Sequence, residues 1–375
     1  MFRRFSLGLV LIIVLFGSIL HNLIPDAQAE GSEWVKYPAN PILTSTPGSW
    51  DADYTIQPRV LYLGNLFRMY YVGSRQGILG IGYGTSSDGI KWTKHGAPIL
   101  TPGPLGSWDS SLVGLGSVLW NGTLYLMWYR GKSPGLYDDG AFGLATSSDG
   151  MTWKKYPRNP VLTPSSVDEK LLTDPYVIRQ PALYGMWYAA RNSSDPRFSQ
   201  ILRILYAISF DGVNWAKFNL VALSPSIDAA AWDSGNLFSP SVFYAGAANG
   251  YGMWYSALNQ SFQVPAVGYA TSRDGVYWTK SPENPILTHG SLGSWDSGGV
   301  ENQDVILAKG AYMMYYDGFR ADTGSSIGLA FAPAEFAIPE LSYQSIDLLL
   351  GMLILATAFL IFHRRREWHR YSITR

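Results

Sequence analysis

The chain has 375 residues, of which 47% are apolar, and its 28 basic residues are balanced by 28 acidic ones. This apolar fraction excludes a disordered chain, and the length is enough for one large domain or two ordinary ones. There is no cysteine, which excludes disulfides, thiol chemistry and cysteine-based metal sites. Apart from its two terminal segments the chain is mildly acidic, which argues against nucleic acid as a partner.

The first 29 residues have the pattern of a signal peptide. Arg3 and Arg4 precede an apolar run over residues 7–20, and the segment AQAE at 27–30 has the small-x-small spacing of a cleavage site. We therefore predict that residues 1–29 are removed and that the protein is exported.

A motif of the form Ser-x-Asp-Gly-x-x-Trp recurs along the rest of the chain. Its four copies end at tryptophans spaced by 61 to 63 residues, namely Trp92, Trp153, Trp215 and Trp278. A second landmark, Met-Trp-Tyr or Met-Tyr-Tyr, occurs five times, beginning at Met69, Met127, Met186, Met253 and Met314. A repeat of this length indicates that one supersecondary unit is used several times.

Each unit is predicted to contain four short strands. In the first unit these are PRVLYL, LFRMYYVG, GIGYGTSS and IKWTK, which are rich in Val, Ile, Tyr and Trp and separated by Gly, Asn or Asp-Gly. We expect the Asp-Gly pairs to form two-residue type I′ hairpin turns, because Gly accepts the positive φ that such turns require. Four antiparallel strands repeated around an axis form the blades of a β-propeller.

The fifth unit has only three strands and ends at residues 327–333. The missing strand lies at the other end of the chain, where EWVKYPANPIL aligns with the fourth strands of the other units and Trp34 matches their tryptophan. We predict that this N-terminal strand closes the ring and leaves no unpaired edge. The predicted fold is therefore all-β, a five-bladed β-propeller of four-stranded antiparallel blades over residues 30–335.

Two further features of the repeat are expected to be structural. The tryptophans of the motif should pack between adjacent blades. One acidic residue recurs before the first strand of every unit, and hydrogen bonds to nearby backbone would explain it. These residues are Asp51, Asp109, Asp168, Asp233 and Asp296.

The C-terminal segment has the pattern of a membrane anchor. Residues 348–362 carry no charge and are followed by the basic sequence HRRREWHR, which favours a C-terminus on the inside. The run is short for a spanning helix, which needs about 20 residues, so a buried terminal helix is the alternative. We predict a linker at 336–346, a C-terminal transmembrane helix at 347–363 and a basic cytoplasmic tail at 364–375. These segments would anchor the exported domain at the cell surface in the cytoplasmic membrane, and later cleavage of the helix is left open.

Functional residues on a repeated frame should be polar residues that differ between units. In the two columns just before Pro58 and its equivalents, the acids are Asp174 and Glu301, and Asp53 lies on the first blade's approach to the axis. These three are the predicted catalytic residues. The predicted substrate contacts are Gln57, Arg59, Arg130, Arg191, Asn302, Asp317 and Arg320. The histidines lack metal-ligand spacing, and we expect neither a metal nor a cofactor.

The five units, the segment DPYVI at 174–178 and the recurrent Asp-Gly-x-x-Trp and Asn-Pro-(Ile/Val)-Leu segments resemble the five-bladed glycoside hydrolases of family 43, the invertases and levansucrases of the family 32 type, and the family 130 mannoside phosphorylases. The resemblance covers about residues 33–333. It implies a carbohydrate partner, either an oligosaccharide or a polysaccharide. Of the three acids of family 43, the third-blade Asp matches Asp174. The first-blade base falls on Gln57 and the fourth-blade acid falls near Phe238 or Ser239, so two of the three are not matched.

Glycoside hydrolysis ordinarily needs one carboxyl group to protonate the leaving oxygen and another to activate water or attack. We predict that Asp174 and Glu301 form a displaced pair that hydrolyses arabinoside, xyloside or fructoside bonds. One alternative is a non-catalytic carbohydrate-binding or adhesive propeller. Another is an enzyme like the mannoside phosphorylases, with Arg130, Arg191 and Arg320 as candidates for a phosphate pocket.

Overall fold

The computed structural model describes residues 34–135, 140–164, 169–192, 200–261, 264–320, 322 and 324–333. The predicted signal peptide, linker at 336–346, transmembrane helix and cytoplasmic tail lie outside these residues, as does Asp168. Within the described ranges, no helix is both long enough and apolar enough to cross a bilayer.

Across the described residues, twenty β-strands form five four-stranded antiparallel sheets, each of which is one blade of the predicted propeller. Blade 1 contains β2 (Tyr54–Leu63), β3 (Leu66–Arg75), β4 (Ile78–Ser86) and β5 (Thr93–Lys94). Blade 2 contains β6 (Leu112–Trp120), β7 (Tyr125–Lys132), β8 (Ala141–Ser147) and β9 (Lys154–Lys155). Blade 3 contains β10 (Glu169–Arg179), β11 (Tyr184–Asn192), β12 (Leu202–Ser209) and β13 (Ala216–Leu223). Blade 4 contains β14 (Leu237–Tyr244), β15 (Tyr251–Ala257), β16 (Ala266–Ser272) and β17 (Thr279–Lys280). Blade 5 contains β18 (Gly299–Ala308), β19 (Ala311–Arg320), β20 (Gly324–Pro333) and the N-terminal β1 (Val35–Lys36).

The N-terminal strand closes the ring as predicted. Val35 pairs with Phe331 and Lys36 pairs with Ala330, and the backbone bridge between Leu43 and Ile327 extends this seam. The innermost strands β2, β6, β10, β14 and β18 contact one another around the central axis. Their starts define one face of the propeller, here named the mouth face, and the Asp-Gly turns lie on the opposite face, named the turn face.

The motif tryptophans pack between neighbouring blades, which confirms their structural role. Each ring meets an aromatic ring of the preceding blade edge-on, with centroids 5.8–6.2 Å apart. The pairs are Trp34–Trp254, Trp92–Tyr315, Trp153–Tyr70, Trp215–Trp128 and Trp278–Trp187. Trp34 therefore makes the same contact at the seam as the other four tryptophans make around the ring.

The Asp-Gly segments do not form the predicted two-residue type I′ hairpins. In blade 1, six residues separate Ser86 at the end of β4 from Thr93 at the start of β5, and Gly89 has a φ of 80° whereas Asp88 is not among the residues with positive φ. The Asp88 carboxylate instead accepts hydrogen bonds from the backbone N–H groups of Ile90 and Lys91. This side-chain turn replaces the backbone turn, and the same bonds recur at Asp149, Asp211 and Asp274.

The four recurrent acidic residues that the structure describes are buried ion-pair partners rather than acceptors from nearby backbone. Asp51 is 1% exposed, and its Oδ2 lies 2.6 Å from Lys94 Nζ and 3.3 Å from the Tyr71 hydroxyl. Within the described residues, equivalent pairs join lysines of the outer strands to the acids, namely Lys155–Asp109, Lys280–Asp233 and Lys36–Asp296. Each pair ties the outermost strand of a blade to the entry of its innermost strand.

Candidate active site

A bulge interrupts the innermost strand of every blade near the axis. The register shifts there in all five strands, between Ile56 and Arg59 in blade 1 and at the matching positions elsewhere. In four blades the bulged residue has φ between 48° and 55°, and these residues are Gln57, Asp174, Ser239 and Asn302. Such a conformation costs a non-glycine residue about 1–3 kcal/mol and is typical of functional sites.

Asp174 lies at the centre of this bulge column. Its Oδ1 accepts hydrogen bonds from Thr173 Oγ1 at 3.1 Å and from Gln57 Nε2 at 3.4 Å, and its Oδ2 accepts one from Ser239 N at 3.3 Å. The residue is 6% exposed. Blades 1, 3 and 4 therefore meet at this carboxylate.

Glu301 approaches the same point from blade 5. It is half-buried, and its Oε1 lies 3.5 Å from Asn302 Nδ2. Burial, with a contribution from the negative charge of Asp174, raises the pKa of Glu301 to about 7. A carboxyl group that keeps its proton near neutral pH beside a second carboxylate is an arrangement suited to general acid catalysis.

Asp317, a predicted substrate contact, is buried beside the candidate site. It is 1% exposed and lies directly opposite Glu301 in the register of β18 and β19. Both of its carboxylate oxygens accept the Gln57 N–H at 2.9 Å, and Oδ2 accepts a bond from Asn302 Nδ2 at 2.8 Å. Burial raises the pKa of Asp317 well above its ordinary value. Asp317 thus holds two bulged residues, and Asn302, itself 7% exposed, is part of the same buried support.

Arg59, another predicted substrate contact, is also buried, with 3% of its surface exposed. Its guanidinium donates to the carbonyl oxygens of Gly116 and Pro58 and lies over the ring of Tyr176, 5.5 Å from the centroid. The Tyr176 hydroxyl donates to Asp304 Oδ1 at 3.1 Å. These groups close the axis under the carboxyl pair.

Below the two carboxyl groups lies a column of hydrogen-bonding side chains that was not predicted from the sequence. Three side chains of one column accept hydrogen bonds from backbone N–H groups of the next blade, namely Ser117 from Val177, Ser241 from Val305 and Asp304 from Val60. The signal was present in the sequence, because the column that follows Pro58 and its equivalents is polar or aromatic in every unit. Its members are Arg59, Ser117, Tyr176, Ser241 and Asp304.

Two predicted residues lie at the rim of the mouth face and do not join the carboxyl pair. Asp53 is exposed and accepts a hydrogen bond from Ser74 Oγ at 3.3 Å. It precedes Gln57 by four residues, which is about 13 Å along an extended strand. Arg320 forms an ion pair with exposed Asp322 at 2.5 Å and donates to Gly293 O.

Arg130 and Arg191 differ in their distance from the axis. Arg130 on β7 pairs in register with Gly114, and a Cβ at Gly114 would lie 3.7 Å from Arg130 Cβ and 3.6 Å from Gln57 Oε1, so Arg130 lies beside the axial site. Arg191 lies near the end of β11, opposite Lys170 and Leu202. No contact of the described residues joins Arg191 to Asp174 or Glu301.

No family model matches this chain. Two curated relatives from Mycobacterium tuberculosis, the uncharacterized proteins MT1551 of strain CDC 1551 / Oshkosh and Rv1502 of strain ATCC 25618 / H37Rv, are each 28% identical over 262 residues. In both cases the match covers 68% of this chain and 84% of the relative.

The fold of this chain is similar to that of several solved structures. A GH130 protein from work on mannoside phosphorylases and on hydrolases of β-1,2 mannosidic linkages matches with a TM-score of 0.63 and 17% identity, over 83% of this chain and 96% of that one. A glycosyl hydrolase from Bacteroides ovatus matches with a TM-score of 0.62 and 16% identity, over 82% and 96%. A thermostable family 43 glycoside hydrolase matches with a TM-score of 0.61 and 17% identity, over 76% and 92%. The chain has the fold of the five-bladed glycoside hydrolase propellers.

Proposed function

We propose that this protein cleaves glycosidic bonds at the mouth face of the propeller, with Glu301 as the general acid and Asp174 as the second carboxylate. The observation that supports this most strongly is that both acids lie at the bulges of innermost strands around one axis, where burial and the charge of Asp174 raise the pKa of Glu301 to about 7. The similarity to glycoside hydrolase propellers supports a carbohydrate as the substrate.

In this mechanism the proton of Glu301 passes to the glycosidic oxygen as its bond to the anomeric carbon breaks. Asp174 accepts a proton from the water that adds to that carbon, so that the products are two sugars with free hydroxyl groups. Thr173, Gln57 and Ser239 hold the Asp174 carboxylate in place through hydrogen bonds. Gln57 cannot act as a base itself, and its role is to orient Asp174.

The proposal is tested by substituting Glu301→Gln, which keeps the shape of the side chain and removes the transferable proton. We expect turnover to fall by about 10²- to 10⁴-fold on any glycan that the wild-type protein cleaves. Glu283→Gln is the matched control, because Glu283 is exposed and lies in the outer segment of blade 4. Glycan binding without turnover across a broad panel of arabinosides, xylosides, fructosides and mannosides would instead identify a non-catalytic binding propeller.

We also propose that the protein is exported and held at the cell surface by its C-terminal segment. The support comes from the sequence patterns at residues 1–29 and 347–363, together with the position of the chain ends. Val35 pairs with Phe331 near the end of β20, so the described chain begins and ends at the turn face, opposite the candidate site. Membrane fractionation of the full chain and of a chain ending at residue 346 tests this proposal, and recovery of both in the soluble fraction would overturn it.

A further inference from the structure

Arg130 is a half-buried cation that has no ion-pair partner among the residues that the structure describes. Its Nε atom is buried and has no hydrogen-bond partner, and no ion pair of Arg130 within 4 Å occurs among the described residues. Burial lowers the pKa of Arg130, while the charge of Asp174 acts in the opposite direction. A buried cation without a direct partner is costly, and such a group in a native structure calls for an explanation.

The other axial cation does not share this property. The Arg59 guanidinium donates to two backbone carbonyls and stacks on Tyr176, so its hydrogen-bonding capacity is used inside the fold. Arg59 is also 3% exposed, whereas Arg130 is only half-buried. Of these two arginines, Arg130 is therefore the one that keeps accessible surface and an unused donor.

The neighbours of Arg130 leave space beside it. In the register of the innermost strands the residue opposite Arg130 is Gly114, whereas the equivalent positions in the other blades hold Ile56, Thr173, Phe238 and Glu301. A Cβ at Gly114 would lie 3.7 Å from Arg130 Cβ and 3.6 Å from Gln57 Oε1. The missing side chain leaves a notch about the size of a methyl group, bordered by Arg130, Gln57 and Leu112.

We propose that Arg130 binds a carboxylate carried by the glycan, so that the preferred substrates are glycosides containing a uronic acid. This inference rests on the proposed function, because it names the class of glycan that the same site takes. A planar carboxylate matches the fork of a guanidinium through two parallel hydrogen bonds. The Gln57 amide oxygen beside it can accept a bond from a sugar hydroxyl.

The charge balance favours a carboxylate of the substrate over free phosphate. One guanidinium neutralises one negative charge, which fits a carboxylate, whereas phosphate near neutral pH carries more negative charge and would lie close to Asp174 and Glu301. The carboxyl pair can also supply both proton transfers of hydrolysis, so no external anion is required for the reaction.

The test compares binding of uronic-acid-containing oligosaccharides with binding of the same oligosaccharides after carboxyl reduction, using the full-length protein. The wild-type protein should bind the acidic glycan about 10- to 100-fold more tightly than its reduced counterpart. Arg130→Met should bring this ratio close to one, and Arg130→Lys should restore part of it. Arg75→Met is the matched control, because Arg75 is an exposed arginine on the mouth face that contacts Gly48 O and lies outside the axial site.

The outcomes separate this inference from the proposed function. Equal binding of acidic and reduced glycans by the wild-type protein would overturn the inference even if Arg130→Met did not fold. Cleavage of neutral glycans that depends on Glu301 would then leave the proposed function standing. An Arg130-dependent preference for acidic glycans without Glu301-dependent cleavage would support the inference and overturn only the proposed function.

Cleavage that requires added inorganic phosphate and releases a sugar phosphate would overturn the inference, because the anion at the site would be the co-substrate.

Discussion

Glu301 and Asp174 face the same axis but have different neighbours. Asp174 accepts hydrogen bonds from three donors in three residues. Glu301 has an amide contact, at 3.5 Å from Asn302, and pairs across the sheet with buried Asp317. Burial and the charge of Asp174 favour the neutral form of Glu301. In the proposed mechanism, the roles of Glu301 as acid and Asp174 as second carboxylate therefore follow from the surroundings of two chemically similar side chains.

The pH dependence of activity should report the proton on Glu301. Because a general acid must be protonated, kcat/KM of the wild-type protein should decline above pH about 7. Since the charge of Asp174 contributes to the raised pKa, Asp174→Asn should lower the pKa of Glu301. NMR-monitored titration of the Glu301 carboxyl group in both proteins measures this shift, and an unchanged pKa would show that the two carboxyl groups do not interact.

The free energy of unfolding should depend on pH through the Glu301 carboxyl group. The pKa of Glu301 is higher in the folded protein than in the unfolded chain, so the folded state holds more protons between pH about 4.5 and pH about 7. Stability should therefore be greatest below this window and decrease as pH rises through it, by about 1–2 kcal/mol after allowance for partial exposure.

Chemical denaturation at pH 5 and at pH 8 measures this effect. The free energy of unfolding of Glu301→Gln should change less between the two pH values than that of the wild-type protein. An identical change in both proteins would mean that Glu301 titrates with an ordinary pKa.

At the scale of the elements, the N-terminal strand acts as the fourth strand of blade 5. Trp34 packs edge-on against Trp254 as Trp153 packs against Tyr70, with centroid distances of 6.1 and 5.8 Å. Both indoles are partly exposed, so Trp34→Ala and Trp153→Ala should each lower the free energy of unfolding by about 2–3 kcal/mol. Denaturant unfolding of the two variants compares the seam with an ordinary blade junction. A loss at Trp153 without a loss at Trp34 would show that the N-terminal strand does not close the ring.

Repetition explains which of these elements could be predicted from the sequence. The strands, the motif tryptophans and the closing strand recur in several units, so the alignment of units reveals them. The turn chemistry of Asp88 was not predicted correctly, because a side-chain carboxylate replaced the backbone turn and lengthened the connection. The residue type alone also did not predict that Asp53 is exposed whereas Asp51, two residues before it, is buried.

At the scale of the whole molecule, the site depends on how the five blades meet. Asp174 and Glu301 are 127 positions apart in sequence, and they come together because bulged innermost strands direct residues of four blades at one axis. The repeat indicated the columns that lie at the bulges of the innermost strands, and the catalytic role of Asp174 and Glu301 in these columns stays a prediction. The repeat did not show that Asp317 and Arg59 are buried, because their burial depends on contacts with other blades.

The central claim is that the axial carboxyl pair cleaves glycosidic bonds. The most direct measurement is the rate of glycan cleavage by the double variant Asp174→Asn with Glu301→Gln, compared with the wild-type protein on the same substrate. Cleavage by the double variant should fall to background while the protein remains folded. Full activity in the folded double variant would contradict the assignment of this site.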